Sequence, residues 1–300
     1  MQETIAVTGA SGLIGSALVE RLRSEGYRVL RLVRGAPRGG DEARWDPAGG
    51  SVDAAALEGV HGVVHLAGEN IGQRWTEEVK RRAWESRVDG TALLARTLAS
   101  LETPPAVLVQ ASAAGIYGDR GDEPLDESSA TGTGFLAEMG RAWEAASAPV
   151  EAVGMRVVRL RFGVVLSAAG GAVEKMLLPF RMGVGGKVGS GRQYFPWITR
   201  ADAVEVVLRA LRDERLRGVV NAVAGSARNA DFTDALARAL HRPAVLPIPA
   251  LALRALYGEM AQATLLASHN LVPARLRELG HAFHHPTLDA ALRAALDDDG

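Results

Sequence analysis

The chain has 300 residues, 34 of them basic and 35 acidic, for a net charge near −1; 47% are apolar and none is cysteine. This length suits one large domain or two closely built ones with a sizeable core. The charge balance removes the cation excess that nucleic acid requires, and the missing thiols exclude disulfides, thiolate catalysis and cysteine-ligated metals.

No apolar run approaches the ~18 residues of a membrane span. The start MQETIAVTGASG enters a strand pattern directly, with no basic segment of a signal peptide. The expected setting is cytoplasmic, with neither membrane nor nucleic acid as partner. Only Lys80, Lys175 and Lys187 among the basic residues are lysines, so any mechanism that needs a lysine has three candidates.

In chain order, Thr4 to Val7 reads as a strand and Leu13 to Arg23 as a helix with one apolar face, stopped by Gly26. Strands follow at Arg28 to Val33 and at Gly62 to Leu66, then a polar helix around Thr76 to Arg82. Val88 to Leu101 is a helix, Ala106 to Gln110 a strand, Phe135 to Ala148 a helix. Met155 to Phe162 is a strand with interleaved arginines. Ala168 to Trp197 is rich in glycine and is expected to be loop-dominated and ligand-facing. Ala201 to Leu211 is a helix, Gly218 to Ala222 a short strand, and the chain from Asp231 onward mostly helical, with a frayed DDDG end. Strand–helix alternation with near-continuous apolar strands predicts an α/β fold, a Rossmann-type doubly wound parallel sheet, followed by a smaller, mostly helical C-terminal region. The expected division is a dinucleotide-binding part at 1–165, to which 198–225 returns, and a substrate region from 166–197 and 226–300.

TGASGLIG sets Gly9, Gly12 and Gly15 between the first strand and first helix. Glycines here permit the tight turn, the approach of a pyrophosphate to the backbone and close helix–strand packing, with the helix N-terminus facing the phosphates. A carboxylate for a ribose 2′-hydroxyl is expected near the end of the second strand; instead Arg34 stands there, with Arg38 soon after and no acid until Asp41. An arginine suits a 2′-phosphate, so NADP(H) is the expected cofactor; the other reading of Arg34 is a solvated loop residue.

TGASGLIG, HLAG at His65–Gly68 and SAAGIYG at Ser112–Gly118 resemble the extended short-chain dehydrogenase/reductase superfamily, of the NAD-dependent epimerase/dehydratase type. GENIGQRW, ESRVDGT, FLAEMGRAWEAA, GSGRQYFPWI and the block from GEMAQATLL to PTLDAAL are similar to its YfcH-like branch, labelled nucleoside-diphosphate sugar epimerase with a C-terminal domain of unknown function. The likeness runs from Ile5 to Leu296. It implies cofactor contacts from Gly9, Ser11, Gly12, Leu13, Ile14, Gly15, Arg34, Leu66, Ala67, Gly68, Ser112 and Phe162, and a homodimer. The superfamily's chemistry rests on a Ser/Thr, a Tyr and a Lys in Y-x-x-x-K spacing. Here those positions hold Ala113, Leu136 and Gly140, and none of Tyr27, Tyr117, Tyr194 or Tyr257 has a lysine four residues on.

The remaining candidates for chemistry are Ser112 at a strand end, Tyr117 as a replacement acid with no evident cationic neighbour, and Glu69, beside Asn70, as a base. Arg192 and Gln193 fall where the resemblance implies a substrate's phosphate or sugar, with Trp197 as a pocket wall. Glu69 and Tyr117 also stand as substrate contacts, and Lys175 and Lys187 as weaker anion contacts. His281, His284 and His285 lack further ligands at metal spacing, so no metal is expected. Trp75, Trp84 and Trp143 read as packing residues, and Lys80, Arg81 and Arg82 as a solvated face. Two functions fit. One is an NADP(H)-dependent epimerase or carbonyl oxidoreductase with a nonstandard site, acting on a small molecule such as a phosphorylated or nucleotide-linked sugar. The other is a non-catalytic NADP(H)-binding sensor.

Overall fold

A computed structural model describes residues 2–298; the last two residues of the DDDG end lie outside that range. The strands are β1 (Thr4–Thr8), β2 (Arg28–Val33), β3 (Glu42–Asp46), β4 (Ser51–Val52), β5 (Gly62–His65), β6 (Val107–Ala113), β7 (Pro124–Leu125), β8 (Arg156–Phe162), β9 (Val164–Leu166), β10 (Tyr194–Thr199), β11 (Gly218–Ala222), β12 (Gly225–Arg228) and β13 (Asn270–Leu271). The α-helices are α1 (Leu13–Ser24), α2 (Glu77–Trp84), α3 (Gly90–Ala99), α4 (Phe135–Ala145), α5 (Ala148–Ala152), α6 (Gly171–Arg181), α7 (Arg200–Arg212), α8 (Asn229–Leu240), α9 (Ala250–Tyr257), α10 (Ala274–Glu278) and α11 (Leu288–Leu296). Two π-helical turns, Glu85–Asp89 and Ala261–Leu265, interrupt the helical runs.

The main sheet has eight strands in the order β4-β3-β2-β1-β5-β6-β8-β11. Every pairing in it is parallel except β3 with β4. This is the Rossmann-type α/β fold. The central strands are buried on both faces, which explains their unbroken apolar runs. One face is sealed by Leu18, Val19 and Leu22 of α1 with Val204, Val207, Leu208 and Leu211 of α7. The other is sealed by Leu94 and Leu98 of α3, Val150 of α5 and Trp45 of β3. From β1 the chain moves outward through β2 and β3, then returns to the other side of β1 as β5. The strand order therefore reverses between β1 and β5, and their carboxyl ends open a crevice, the place where such sheets bind ligands.

The segment 168–197 is more regular than its glycines predict. It contains α6, whose Val173, Leu177 and Phe180 are buried at helical spacing, and it leads into β10. Pro179 obscured the helix, but it lies in the last turn, where little of the helix remains to be broken. β10 joins β9 and β12 in a second, three-stranded sheet that shares a core with α6, α8 and α11. The sequence also concealed the outer pair β3–β4, and β13, which pairs with β7.

Arg156, at the start of β8, is buried and donates to the carbonyls of Ala210 (2.6 Å), Leu211 (2.7 Å) and Leu216 (3.1 Å), closing the end of α7. Arg156→Met should leave these acceptors without a donor and lower the unfolding free energy by roughly 2–4 kcal/mol, measured by urea denaturation. A loss under about 1 kcal/mol would contradict this capping role.

Candidate functional site

The crevice is built first from glycine. Gly9 has φ +67°, and a Cβ there would lie 2.8 Å from the carbonyl carbon of Leu66. A Cβ on Gly15 would stand 2.1 Å from the carbonyl oxygen of Gly9. Only hydrogen fits at either position, so α1 is drawn against the end of β1. Gly12 donates its N–H to the Gly9 carbonyl (2.9 Å), and α1 opens behind it with no side-chain cap. The N–H groups of Leu13 and Ile14, in the first turn, have no acceptor within the helix and carry the positive end of its dipole. This cradle fits a pyrophosphate. Ser11 is exposed beside it.

Arg34 follows β2 and is exposed; among the described residues it has no ion-pair partner. The nearby acids are engaged elsewhere. Asp41 pairs with Arg23 (2.8 Å) and Arg31 (3.1 Å), and Glu42 pairs with Arg31 (3.0 Å) and accepts the N–H of Arg38 (2.7 Å). The β2 end thus presents a free cation.

At the β5 end a buried chain of hydrogen bonds fixes the other wall. Thr8 Oγ1 accepts the N–H groups of Leu66 (3.1 Å) and Ala67 (3.2 Å). With both lone pairs used, its proton goes to His65 Nδ1 (2.7 Å), and the His65 Nε2–H then donates to Thr91 Oγ1 (2.9 Å). Thr91 Oγ1 also accepts Trp143 Nε1–H (3.0 Å). Burial drives the His65 pKa down to about 4, so the ring is neutral. Gly68 leaves room for Arg87, whose guanidinium would touch a Cβ there at 3.1 Å and which donates to the Glu69 carbonyl (2.9 Å). Arg87, Thr8 and Thr91 were not singled out from sequence; ESRVDGT carried the first and third as an unexplained motif. The Glu69 carboxylate is partly exposed, 3.7 Å from Arg82. Asn70 is exposed, and its Oδ1 accepts the N–H of Gly72 (2.8 Å) within the turn.

Two catalytic candidates at the β6 end are committed to the interior. Ser112 is 3% exposed and donates its hydroxyl to Glu144 Oε1 (2.7 Å), so no proton is left for a substrate oxygen. Glu144 is clamped by Arg161 through both carboxylate oxygens (2.8 Å each). Arg161 also donates to Tyr117 Oη (2.8 Å) and lies over the Tyr117 ring at 4.8 Å. The tyrosine therefore does have a cationic neighbour. It is nevertheless fully buried, with its hydroxyl against Asn221 Oδ1 (2.8 Å) and the Asp126 carbonyl (2.9 Å). Burial raises its pKa despite Arg161, which keeps the phenol protonated and enclosed. As a replacement acid or substrate contact Tyr117 is excluded by this enclosure. Arg161 belongs to the interleaved arginines of β8, a signal that identified an inward-facing charge but not its partner.

The positions expected for tyrosine and lysine are filled by packing. Leu136 lies against the turn at Ala114–Tyr117, its Cδ1 3.0 Å from where a Gly115 Cβ would be. A Cβ on Gly140 already approaches Ile116 Cβ to 3.0 Å, so a lysine cannot be seated there without displacing the turn. Phe135 meets Trp75 edge-on at 5.4 Å, and Leu136 joins them with Val79, Met260 and Tyr257 in one apolar cluster. GENIGQRW and GEMAQATLL converge here.

Farther out, Phe162 sits at the end of β8 between Ala113 and Ala222. Arg192 is exposed, but the Gln193 amide is spent on the carbonyls of Val188 (3.0 Å) and Leu265 (3.1 Å). Trp197, expected as a pocket wall, is 3% exposed in the second core, beneath Gly225. Its ring packs and does not line. Lys175 reaches the Gly72 carbonyl (3.2 Å), and Lys187 is exposed. His284 and His285 give their backbone N–H groups to buried Asp202 (2.7 and 3.2 Å), and His281 packs on Phe283. No helix among the described residues is long and apolar enough to cross a membrane.

Comparison with known proteins gives matching results. Residues 5–222 match the NAD dependent epimerase/dehydratase family and residues 248–295 match a domain of unknown function, DUF1731. The chain is 42% identical over 299 residues to the epimerase family protein MT2273 of Mycobacterium tuberculosis, covering 99% of this chain and 98% of that one. A crystal structure of the human epimerase family protein SDR39U1 (isoform 2) with NADPH superposes with a TM-score of 0.89 at 33% identity, covering 98% and 99% of the two chains. A nucleoside-diphosphate sugar epimerase from Corynebacterium glutamicum superposes with a TM-score of 0.82 at 36% identity, over 99% of this chain and 58% of that one.

The neutral His65 has a measurable consequence. Its folded pKa lies below its unfolded value near 6.5, so the unfolded chain binds the extra proton first. Stability should hold above pH 6.5 and fall toward pH 4, with roughly 3 kcal/mol of the loss due to this ring. Urea unfolding at stepped pH should show a shallower decline for His65→Gln than for wild type. Identical slopes would refute the assignment.

Proposed function

Because the chain belongs to the NAD-dependent epimerase/dehydratase family, we propose that it binds NADP(H) in the β1–β5 crevice and exchanges hydride with a small carbonyl compound or nucleotide-linked sugar. It does so without the superfamily's tyrosine–lysine pair. The observation that carries the proposal is the Gly9–Gly15 cradle, which holds a helix N-terminus open over a surface that admits only backbone. The NADPH in the human relative's crystal structure supports the same reading.

In this scheme the N–H groups of Leu13 and Ile14 hold the pyrophosphate, and Arg34 takes the 2′-phosphate in a bidentate, charge-assisted contact. The backbone of Leu66, Ala67 and Gly68, fixed by Thr8, borders the adenine-ribose side. The cofactor supplies or accepts a hydride. Leu136 and the cluster behind it exclude water from the side where the tyrosine would stand. With Tyr117 enclosed and the Ser112 proton given to Glu144, Glu69 is the remaining side chain among those candidates with a carboxylate open to solvent, and we assign proton transfer to it, directly or through a bound water. The packed state of Leu136 and Gly140 favours a second reading, a protein that binds NADP(H) and responds to it without turnover.

Arg34→Asp should weaken NADPH binding at least ~10-fold while changing NADH binding far less, as expected for one lost charge-assisted contact; fluorescence titration measures both. Equal losses would contradict the 2′-phosphate role. A panel of carbonyl compounds assayed with NADPH carrying deuterium at nicotinamide C4 should give deuterated product, or a panel of sugar nucleotides assayed with NADP+ should give an epimerised or oxidised sugar. With the responding substrate, Glu69→Gln should lower kcat at least ~100-fold. NADPH binding with neither deuterium transfer nor a changed sugar in either panel favours the sensor reading.

A further inference from the structure

The cofactor reading leaves a large feature of the surface unexplained. From Lys175 to Ala201, and again from Ala235 to Gly258, the sequence has no acidic residue, in a chain whose net charge is −1. The two stretches lie side by side in the fold. Ile248 donates to the Lys187 carbonyl (2.9 Å) and Arg242 Nε to the Arg181 carbonyl (3.1 Å). A Cβ on Gly186 would fall 1.8 Å from the Leu246 carbonyl oxygen, so the contact is as close as backbone allows.

This joined surface is also where the exposed apolar side chains collect. Leu178, Met182 and Val184 project from the first stretch, with Leu178 66% exposed. Val245, Leu246, Leu251 and Leu256 project from the second, with Leu251 78% exposed. Of the large apolar residues that the fold leaves exposed, Val153 alone lies elsewhere among the described residues. Arg238 and Arg200 are neutralised by Asp289 and Asp298. Arg181, Lys187, Arg242 and Arg254 have no carboxylate partner among the described residues. Exposed leucines and methionine set among unpaired cations, with no carboxylate in either stretch, form the pattern of an interfacial membrane-binding surface.

We propose that this face, formed by α6 from Lys175 onward, α9 and the loop 243–249, docks on an anionic lipid surface. The leucines enter the headgroup boundary and the arginines and lysine meet the lipid phosphates. No helix among the described residues is long and apolar enough to span the bilayer. Charge complementarity selects the occupant: a second copy of this chain would bring the same uncompensated cations to the interface, whereas an anionic membrane neutralises them. Both stretches also touch the loop after β5, through Lys175 on Gly72 (3.2 Å) and Arg74 on Ala255 (2.8 Å). Docking therefore sets the crevice beside the lipid.

Cosedimentation of the full chain with vesicles tests this. Binding is expected to vesicles of phosphatidylcholine containing about a third phosphatidylglycerol, at least ~10-fold tighter than to phosphatidylcholine alone, and to weaken as salt rises. Leu178→Ser with Leu251→Ser, and separately Arg181→Ser with Arg242→Ser, should each reduce binding at least ~10-fold; circular dichroism and NADPH titration confirm that the variants are folded. No vesicle binding by wild type, or binding that both double variants retain, overturns the proposal. Self-association that Leu178→Ser with Leu251→Ser abolishes, without vesicle binding, also overturns it and assigns the face to a second copy.

Discussion

The approach of Gly15 to the carbonyl of Gly9 sets the geometry on which the site depends. A single methyl group at Gly15 would overlap that oxygen at 2.1 Å, so the first turn of α1 reaches the end of β1 only because nothing projects from it. From that contact follow the exposed N–H groups of Leu13 and Ile14, the positive φ of Gly9 and its close approach to Leu66. Thr8 then links the two strands on either side of the crevice through His65. Both walls of the cradle are thus held by contacts within the protein itself.

The β6 side is organised differently. Ser112, Glu144, Arg161, Tyr117 and Asn221 form a connected, buried polar network whose donors point at one another. Such a network holds its members in one arrangement, and breaking it would leave a buried charge unpaired. Its cost is functional: the hydroxyls nearest the expected reaction centre are not free to give up protons. Beside it, Leu136 and Gly140 close the site with apolar contacts. The family architecture is kept while the positions of the superfamily's tyrosine and lysine are filled by packing, and the proposal therefore rests proton transfer on the partly exposed Glu69.

Much of the fold was legible because its signals are local. The glycine spacing, the buried parallel strands and the helix stops in the first half all carry their own chemistry. What escaped notice depends on distant partners. β4 and β13 are two-residue strands with no pattern of their own, and α6 was hidden by glycines around it and by Pro179 within it. In the site, the glycine cradle was legible in Gly9, Gly12 and Gly15, since each acts through its own backbone, and the proposed 2′-phosphate contact rests on the free charge of Arg34. The roles of Tyr117, Ser112 and Trp197 could not be read, because their burial is decided by Arg161, Glu144 and Gly225, residues 28 to 44 positions away in the sequence. A tyrosine in YG looks the same in sequence whether its hydroxyl meets a substrate or an asparagine.

The central claim is that the glycine cradle is the dinucleotide site, and Gly15→Ala tests it most directly. NADPH fluorescence titration of that variant, with circular dichroism confirming its fold, should show binding weakened at least ~100-fold relative to wild type, because the first turn of α1 can no longer reach the pyrophosphate. A folded Gly15→Ala protein that binds NADPH as tightly as wild type would contradict the account.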